Sequence, residues 1–521
     1  MSVQAVAPTA ERSFAVGALS QSAPPLWLAF CLAALSGPIN ALAFPDPGWW
    51  PLIFVGTALM LVSLVGRTAG SAFAVGLVGG AAYWFPLIDW LTVYLGPVPW
   101  LALAGLQALF FGGAAVLIAL AWRYVTVLWP GAFGRLVGVP AVLAGLWTLY
   151  EAITSTWPYG GFSWGRLAFS LSESPFGELV AWVGASGLSF LVAWTAAILV
   201  QAVRLRDVAV GLRAIVAGIA VALLLAVPAF PNHESGQWRV AAVQGDSDAG
   251  LFSEYQHGQI LQDHVTATVP LFGEDVDVVV WPENSSDLSP LEFPQAAQAV
   301  DYVSQEMDAP LVTGTITHDD QGRIFNSMLL WQAGQGAVDQ YDKIHPVPFA
   351  EYLPDRDFWY PLAPSLFDLV PRDYSFGQRD NVFDIEGVIA GIAICFDIVD
   401  DSLVWQMLDD DADIILAPTN NADFGRTDES AQQLGIARLR AIETGRSVVN
   451  ISTVGTSAII APDGSTIDEL PVFEPGSMVQ TVPLSDTVTP ASVLRRAPEW
   501  AVGGFALTTL LAAVMLGRRR G

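Results

Sequence analysis

The chain has 521 residues, 53% hydrophobic and 14% charged, with a formal net charge of −27. Soluble domains carry about 25% charged residues, so a purely soluble protein is excluded, and so much apolar surface excludes a disordered chain. Two cysteines and 47 glycines without a three-residue period exclude a disulfide scaffold and a collagen-like repeat.

The charge is unevenly divided. Residues 231–497 hold 42 acidic and 12 basic side chains, whereas the remainder is slightly basic. Nucleic-acid binding calls for a basic footprint on the water-facing part, and this part is strongly acidic.

Crossing a hydrocarbon core of ~30 Å takes about 20 apolar residues as helix. In chain order the hydropathy predicts eight spans: Leu26–Phe44, Trp50–Gly66, Gly70–Leu91, Pro99–Trp122, Leu136–Ile153, Gly177–Val203, Val208–Phe230 and Ala501–Leu516. Residues 1–25 read as a cytoplasmic tail before a first span that is retained. Basic residues in short loops favour the inside. Arg12, Arg67, Arg123, Arg135, Arg204, Arg206, Arg213 and Arg518, Arg519 and Arg520 fall on one side, and Arg166 alone on the other. This places seven spans over 26–230, an outer domain over 231–497, and an eighth span with a basic tail over 498–521. Within the outer connection 154–176, STWPYGGFSWGRLAFSLSESP reads either as a wet loop with interfacial aromatics or as a lipid-facing part of a binding site.

From Trp238 the pattern turns to short β-type runs. Strands are expected at Arg239–Gln244, Val276–Trp281, Pro310–Thr317, Ser327–Trp331, Val388–Cys395, Ile414–Pro418, Ser447–Ser452, Thr456–Ala461 and Ser477–Val482. Helices are expected at Glu254–Val269, Gln295–Met307, Ser402–Leu408 and Glu429–Thr444. Near-continuous Val/Ile runs indicate strands buried on both faces, as in an α/β sandwich.

Three segments each put a reactive polar group at a strand end. In WPENSS, Glu283 follows the strand VDVVVW; a solvated acid is the ordinary alternative. In YDKIHPVPFAEYLP, Lys343 is the only lysine, against 22 arginines. That asymmetry points to a position requiring an ammonium, a compact charge able to donate to an oxyanion; one surviving surface lysine is the alternative. Glu351 lies eight residues on, in a loop stiffened by prolines. In GVIAGIAICFDIVDD, Cys395 closes an apolar strand before a helix with Asp400 and Asp401 in its first turn. A free Cys is often a small buried hydrophobe. Here a nearby Lys and helix N-terminal amides are expected to lower the thiol pKa and supply the thiolate.

In this order the segments resemble the nitrilase superfamily, whose Glu–Lys–Cys triad sits on a four-layer α-β-β-α sandwich. ADIILAPTNNADF and ARLRAIETGRSVVNISTVGTSAIIAPDG are similar to that superfamily's later strand, helix and hairpin. With the domain inserted before the last of eight spans, the chain resembles the bacterial apolipoprotein N-acyltransferase family, and PYGGFSWGRLAFS is similar to that family's outer loop. The resemblance implies a multi-pass helical membrane bundle plus an extracytoplasmic nitrilase-like sandwich. It implies acyl transfer from a phospholipid to the N-terminal α-amine of a diacylglyceryl-cysteine apolipoprotein, through a Cys thioester. Glu283 would be the general base, Cys395 the nucleophile and Lys343 the oxyanion stabiliser, with Glu351 orienting the lysine or the base. Phe396 stands where aromatics are usual, and Asp397 where many members carry Glu. No cofactor or metal is implied, and the location is the cytoplasmic membrane with the catalytic domain on its outer face. His233, His257, His264, His318 and His345 lack a metal-ligand spacing, although His345 lies near Lys343.

Two other readings compete. One is a membrane-anchored amidase acting on small substrates, for which eight spans exceed the need of an anchor. The other is a non-catalytic lipoprotein-binding or transport scaffold, which would favour ionisable residues inside spans; only Asp89 and Glu151 lie near span ends.

Overall fold

A computed structural model describes residues 23–520 apart from 248, 251–252, 254–255 and 371–372. Most of the expected N-terminal tail, with Arg12, lies outside the described residues, as does the start of the helix expected at Glu254.

Apolar helices occupy all eight expected span positions. Seven precede the strand-rich domain: Leu26–Ala41 (α1), Leu52–Ser63 (α2), Ala69–Leu87 (α3), Pro97–Tyr124 (α4), Val139–Thr154 (α5), Val180–Arg204 (α6) and Val210–Ala226 (α7). The eighth runs from Ala497 to Arg520. Five of these positions carry helices long and apolar enough to cross a membrane; α1, α2 and α7 have only 16, 12 and 17 residues. At 1.5 Å per residue α2 rises about 18 Å, short of a bilayer core. Proline and turn residues between α1 and α2 shorten both, since Pro45, Pro47 and Pro51 cannot continue a hydrogen-bonded helix. Small residues bring the helices together. A Cβ on Gly37 of α1 would lie 2.2 Å from the Ala82 backbone of α3.

Among the described residues, the strand-rich domain contains twelve strands in two six-stranded sheets. The first is built from β1 (Glu234–Gln244), β2 (Val278–Val280), β3 (Leu311–His318), β4 (Ile324–Gln332), β5 (Gly336–Asp342) and β12 (Gly476–Ser485), in the order β12-β1-β2-β3-β4-β5. The second is built from β6 (Val382–Ile385), β7 (Val388–Ile392), β8 (Ile414–Thr419), β9 (Ser447–Ser452), β10 (Ser457–Ile460) and β11 (Thr466–Leu470), in the order β11-β10-β9-β8-β7-β6. The central pairs are parallel: β1 with β2, β2 with β3, β7 with β8 and β8 with β9.

The period-two alternation of strands sorts these residues into layers. Val240 and Ala242 of β1 face the inter-sheet core with Val280, Val312, Ile392, Leu416 and Val449. Ala241 and Val243 face the other way, onto α8 (Gln259–Thr268) and α9 (Pro294–Met307) through Leu261, Val300 and Val303. The outer face of the second sheet meets α10 (Asp401–Asp409) and α11 (Glu429–Thr444). Of these, α11 packs against the apolar helices, because Ile436 and Leu439 share one apolar cluster with Trp164, Leu167 and Leu179. The result is an α-β-β-α sandwich joined by one helix layer to α12 (Ala497–Arg520) and the other apolar helices.

All nine expected strands have counterparts. The three missed ones, β5, β6 and β11, lie at sheet edges. Edge strands need not be apolar on both faces, and the half-exposed GAVDQYD and TIDEL carry no alternating apolar signal.

Candidate active site

The three expected residues follow three different strands to the same end of the sandwich. Glu283 comes three residues after β2, Lys343 directly after β5, and Cys395 three residues after β7. The Glu283 and Lys343 side chains are buried and Cys395 is nearly so; each acts electrostatically on the other two.

Glu283 is held at both oxygens. Its Oε1 accepts from Asn326 Nδ2 at 2.6 Å and its Oε2 from the Asn420 backbone N–H at 2.9 Å. Burial nevertheless raises its pKa above the usual carboxylate range, against the opposing Lys343 charge. The same Asn326 amide donates to Glu351 Oε1 at 3.0 Å, and the Asn326 carbonyl accepts from Lys343 N–H at 2.8 Å. Glu351 Oε2 lies 2.9 Å from Lys343 Nζ and accepts from Val347 N–H at 2.6 Å. Burial works against the Lys343 charge, but Glu351 and Glu283 outweigh it and raise the pKa, so the ammonium stays protonated. Glu351 thus holds Lys343 directly and Glu283 through Asn326.

Cys395 corrects one expectation. The segment after it is a five-residue 3₁₀ turn, Cys395–Val399, before α10 begins. Burial, then the Glu283 charge, raise the thiol pKa; Lys343 and a hydrogen bond with the Thr419 hydroxyl oppose them without prevailing. The resting sulfur is a neutral thiol, and a base must take its proton as it attacks. Glu283, with its raised pKa, suits that task.

Asp397 and Phe396 support the turn. Asp397 Oδ2 accepts from Tyr341 Oη–H at 3.0 Å and from Ile394 N–H at 3.1 Å, so the shorter acid braces the turn from inside. Burial lifts its pKa to about 7. Phe396 lies parallel to Phe162 and Trp164 of the 154–176 connection. His345 Nδ1 pairs with Asp400 Oδ2 at 2.7 Å, tying the lysine loop to the N-terminus of α10. Among the described residues, no cluster of His, Cys, Asp and Glu has the makings of a metal site.

Sequence reasoning missed Asn326, Asn420, Thr419 and Glu429. The available signal was position: Thr419 ends β8 and Asn420 follows it, as Glu283 and Cys395 follow β2 and β7. Glu429 begins α11 and is buried. Its Oε2 accepts from Asn421 Nδ2 at 2.7 Å, and that amide also donates to Gln433 Oε1 at 2.9 Å. Gln433 Oε1 accepts from Thr419 Oγ1 at 3.1 Å, so a polar chain leads from Glu429 to the hydroxyl beside the thiol.

The apolipoprotein N-acyltransferase N-terminal domain family matches residues 36–198, and the carbon-nitrogen hydrolase family matches residues 239–489. The apolipoprotein N-acyltransferase of Mycolicibacterium smegmatis is 33% identical, over 92% of this chain and 83% of the relative. That of Pseudomonas aeruginosa is 28% identical, over 95% of this chain and 97% of the relative. Among solved structures, an amidase of the nitrilase superfamily from Nesterenkonia aligns with 51% of this chain and 97% of its own length, at 16% identity and a TM-score of 0.39.

Burial raises the Glu429 pKa from the ordinary 4.5 to about 8. Between those values the folded chain holds a proton that the unfolded chain releases. The stabilisation from this group is full below the ordinary value and is lost as pH rises through the raised one. The expected outcome is that the wild type loses thermal stability relative to Glu429→Gln as pH rises from about 5 to about 9, read from melting temperatures of the two proteins across that range. Parallel curves would contradict the assignment.

Proposed function

The chain belongs to the apolipoprotein N-acyltransferase family, and on that premise we propose that it transfers an acyl chain from a phospholipid to the N-terminal α-amine of diacylglyceryl-cysteine apolipoproteins through a thioester on Cys395. One observation carries the mechanism: a nearly buried thiol with a raised pKa shares its site with a carboxylate of raised pKa and an ammonium paired with Glu351.

An ester cannot be converted to an amide in one easy step, and a covalent intermediate divides the barrier. As Sγ attacks the ester carbonyl of the donor, Glu283 takes the thiol proton. The negative charge that develops on the carbonyl oxygen is met by the Lys343 ammonium, already in place and needing no reorganisation. Collapse of the tetrahedral species breaks the ester C–O bond. Glu283 returns its proton to the departing lysophospholipid oxygen, leaving the acyl chain on sulfur. The acceptor α-amine then attacks the thioester and Glu283 removes its proton. The second oxyanion again faces Lys343, the C–S bond breaks, and the thiolate recovers the proton from Glu283. Glu351 and Asn326 keep base and ammonium in register through both halves.

In this reading residues 26–230 and 498–521 are membrane-embedded as eight spans, the shorter α1, α2 and α7 included. Residues 1–25 form a cytoplasmic tail, and 231–497 form the catalytic domain on the outer face of the bacterial cytoplasmic membrane. The arginine distribution over the short connections supports that orientation.

The transfer is tested with full-length protein in mixed micelles, a phospholipid with a tagged acyl chain and a synthetic diacylglyceryl-cysteine peptide. The tag is expected on peptide with a free N-terminus and absent from peptide acetylated there. Lys343→Met is expected to lower kcat by about 10²–10³, the usual cost of one oxyanion donor. Tagged fatty acid released without peptide acylation would favour a hydrolase, neither product from a folded preparation would favour a non-catalytic scaffold, and transfer that survives Cys395→Ser would overturn the thioester route.

Orientation is tested on a Cys31→Ser, Cys395→Ser background. A membrane-impermeant maleimide is expected to label Asp320→Cys in intact spheroplasts and Arg518→Cys only after permeabilisation. The reverse pattern would overturn the topology.

A further inference from the structure

The connection between α5 and α6 is not a wet loop throughout, since residues 163–172 are buried, while Thr156, Trp157 and Gly160 before them are exposed. What it is buried against is the support of the nucleophile. Cys395 stands at φ +51°, in the left-handed region. A non-glycine residue persists there only where its surroundings over-determine it. The turn Cys395–Val399 is fixed from the bundle side at several points.

The Phe396 ring lies 5.9 Å from Phe162 and 6.0 Å from Trp164, within 6° and 2° of parallel. The Val399 carbonyl accepts from Ser163 Oγ at 3.1 Å. Just beyond the turn, Asp401 takes both terminal nitrogens of Arg166, at 3.2 and 2.7 Å. Arg166 is further held by Ser155 Oγ at 3.0 Å. Asp401 also accepts from Arg440 Nη2 at 2.6 Å, and Arg440 donates to the Ile398 and Val399 carbonyls at 3.0 Å each. Arg440 pairs with Glu443, whose other oxygen accepts from Ala185 N–H of α6 at 2.9 Å. Two guanidiniums and two carboxylates thus form a buried, charge-balanced chain from the 154–176 connection, through the nucleophile turn, to α6.

Buried ion pairs are a weak source of stability, and apolar residues of similar volume often replace them without loss. Bidentate guanidinium pairs do, however, fix geometry. We propose that Arg166 and Ser163, with the Phe162–Trp164 ring stack, are positioning residues of the acylation step: the membrane-side connection sets the orientation of Cys395, so the nucleophile is aligned only while the outer domain is docked on its bundle. The proposal deepens the reading of Cys395 as the acyl acceptor and rests on it.

The test is rapid-quench measurement of thioester formation by the full-length protein with a tagged phospholipid in mixed micelles. In Arg166→Gln the rate constant of thioester formation is expected to fall about 10- to 100-fold, the cost of misplacing a reacting atom by about 1 Å. The burst amplitude per Cys395 and the half-saturating phospholipid concentration are expected to stay as in the wild type. Arg166→Lys, which keeps one charged hydrogen bond to Asp401, is expected to recover part of the rate.

A reduced amplitude with a wild-type rate constant means that Arg166 only maintains the fold, and overturns the proposal; an unchanged rate does the same. Should Arg166→Gln not fold, Ser163→Ala decides, since it removes a single neutral hydrogen bond. A smaller fall in the same rate constant at full amplitude supports the proposal, and a wild-type rate overturns it. If the wild type itself forms no thioester, the acyl-donor reading fails. The rate of Cys395 alkylation by a small haloacetamide, compared in the same variants on a Cys31→Ser background, then still reports whether the connection sets the thiol.

Discussion

Everything in the site follows from burying one ammonium. Lys343 is 2% exposed, and a charge taken out of water costs several kcal/mol unless it is paired and hydrogen-bonded. Glu351 supplies the pair. Its second oxygen must then be satisfied away from solvent, which Asn326 does, and the same amide reaches Glu283. The lysine thus dictates a partner, the partner a bridging amide, and the amide the position of Glu283. With two carboxylates and a desolvated thiol beside one cation, the chain keeps Cys395 protonated at rest and leaves its activation to the moment of attack.

That chain requires a scaffold that brings strand ends from two sheets to one place and shuts out water. β2 and β5 belong to one sheet, β7 and β8 to the other, and the apolar inter-sheet core holds the two in register. Each fully buried Val or Ile contributes about 1.5–3 kcal/mol to that packing. The second sheet's helix layer lies between sheet and bundle. For that reason α11 buries Gln432, Gln433, Arg440 and Glu443 with partners on both sides. A polar helix inside a protein is stable only when each group is satisfied in this way.

Much of this was legible in the sequence, for particular reasons. Lys343 stood out because the chain otherwise uses only arginine, and Glu283 and Cys395 because each follows a run of apolar residues too long for a half-exposed strand. The bounds of α11 and of the eight apolar segments came from periodicity and hydropathy, which are local properties. What was not legible depends on neighbours far along the chain. Edge strands β5, β6 and β11 lack two buried faces and so lack the pattern. The polarity of Asn326 and Glu429 acquires meaning only once folding seats them beside Glu283 and Thr419. The thiol pKa was expected to fall because Lys343 is near, and it rises because burial outweighs that charge. By sequence the connection 154–176 reads either as a wet loop or as a lipid-facing part of a binding site, yet Arg166 within it finds its carboxylate 235 residues away.

The most direct test of the account is intact-protein and peptide mass spectrometry of Cys395 after incubation of the purified chain with a phospholipid bearing a tagged acyl group. The account predicts an acyl adduct on that residue. It should be labile to hydroxylamine, absent from Cys395→Ser, and discharged when a diacylglyceryl-cysteine peptide with a free amine is added. A folded preparation that acylates the peptide while never carrying the adduct would contradict the thioester route at the centre of this account.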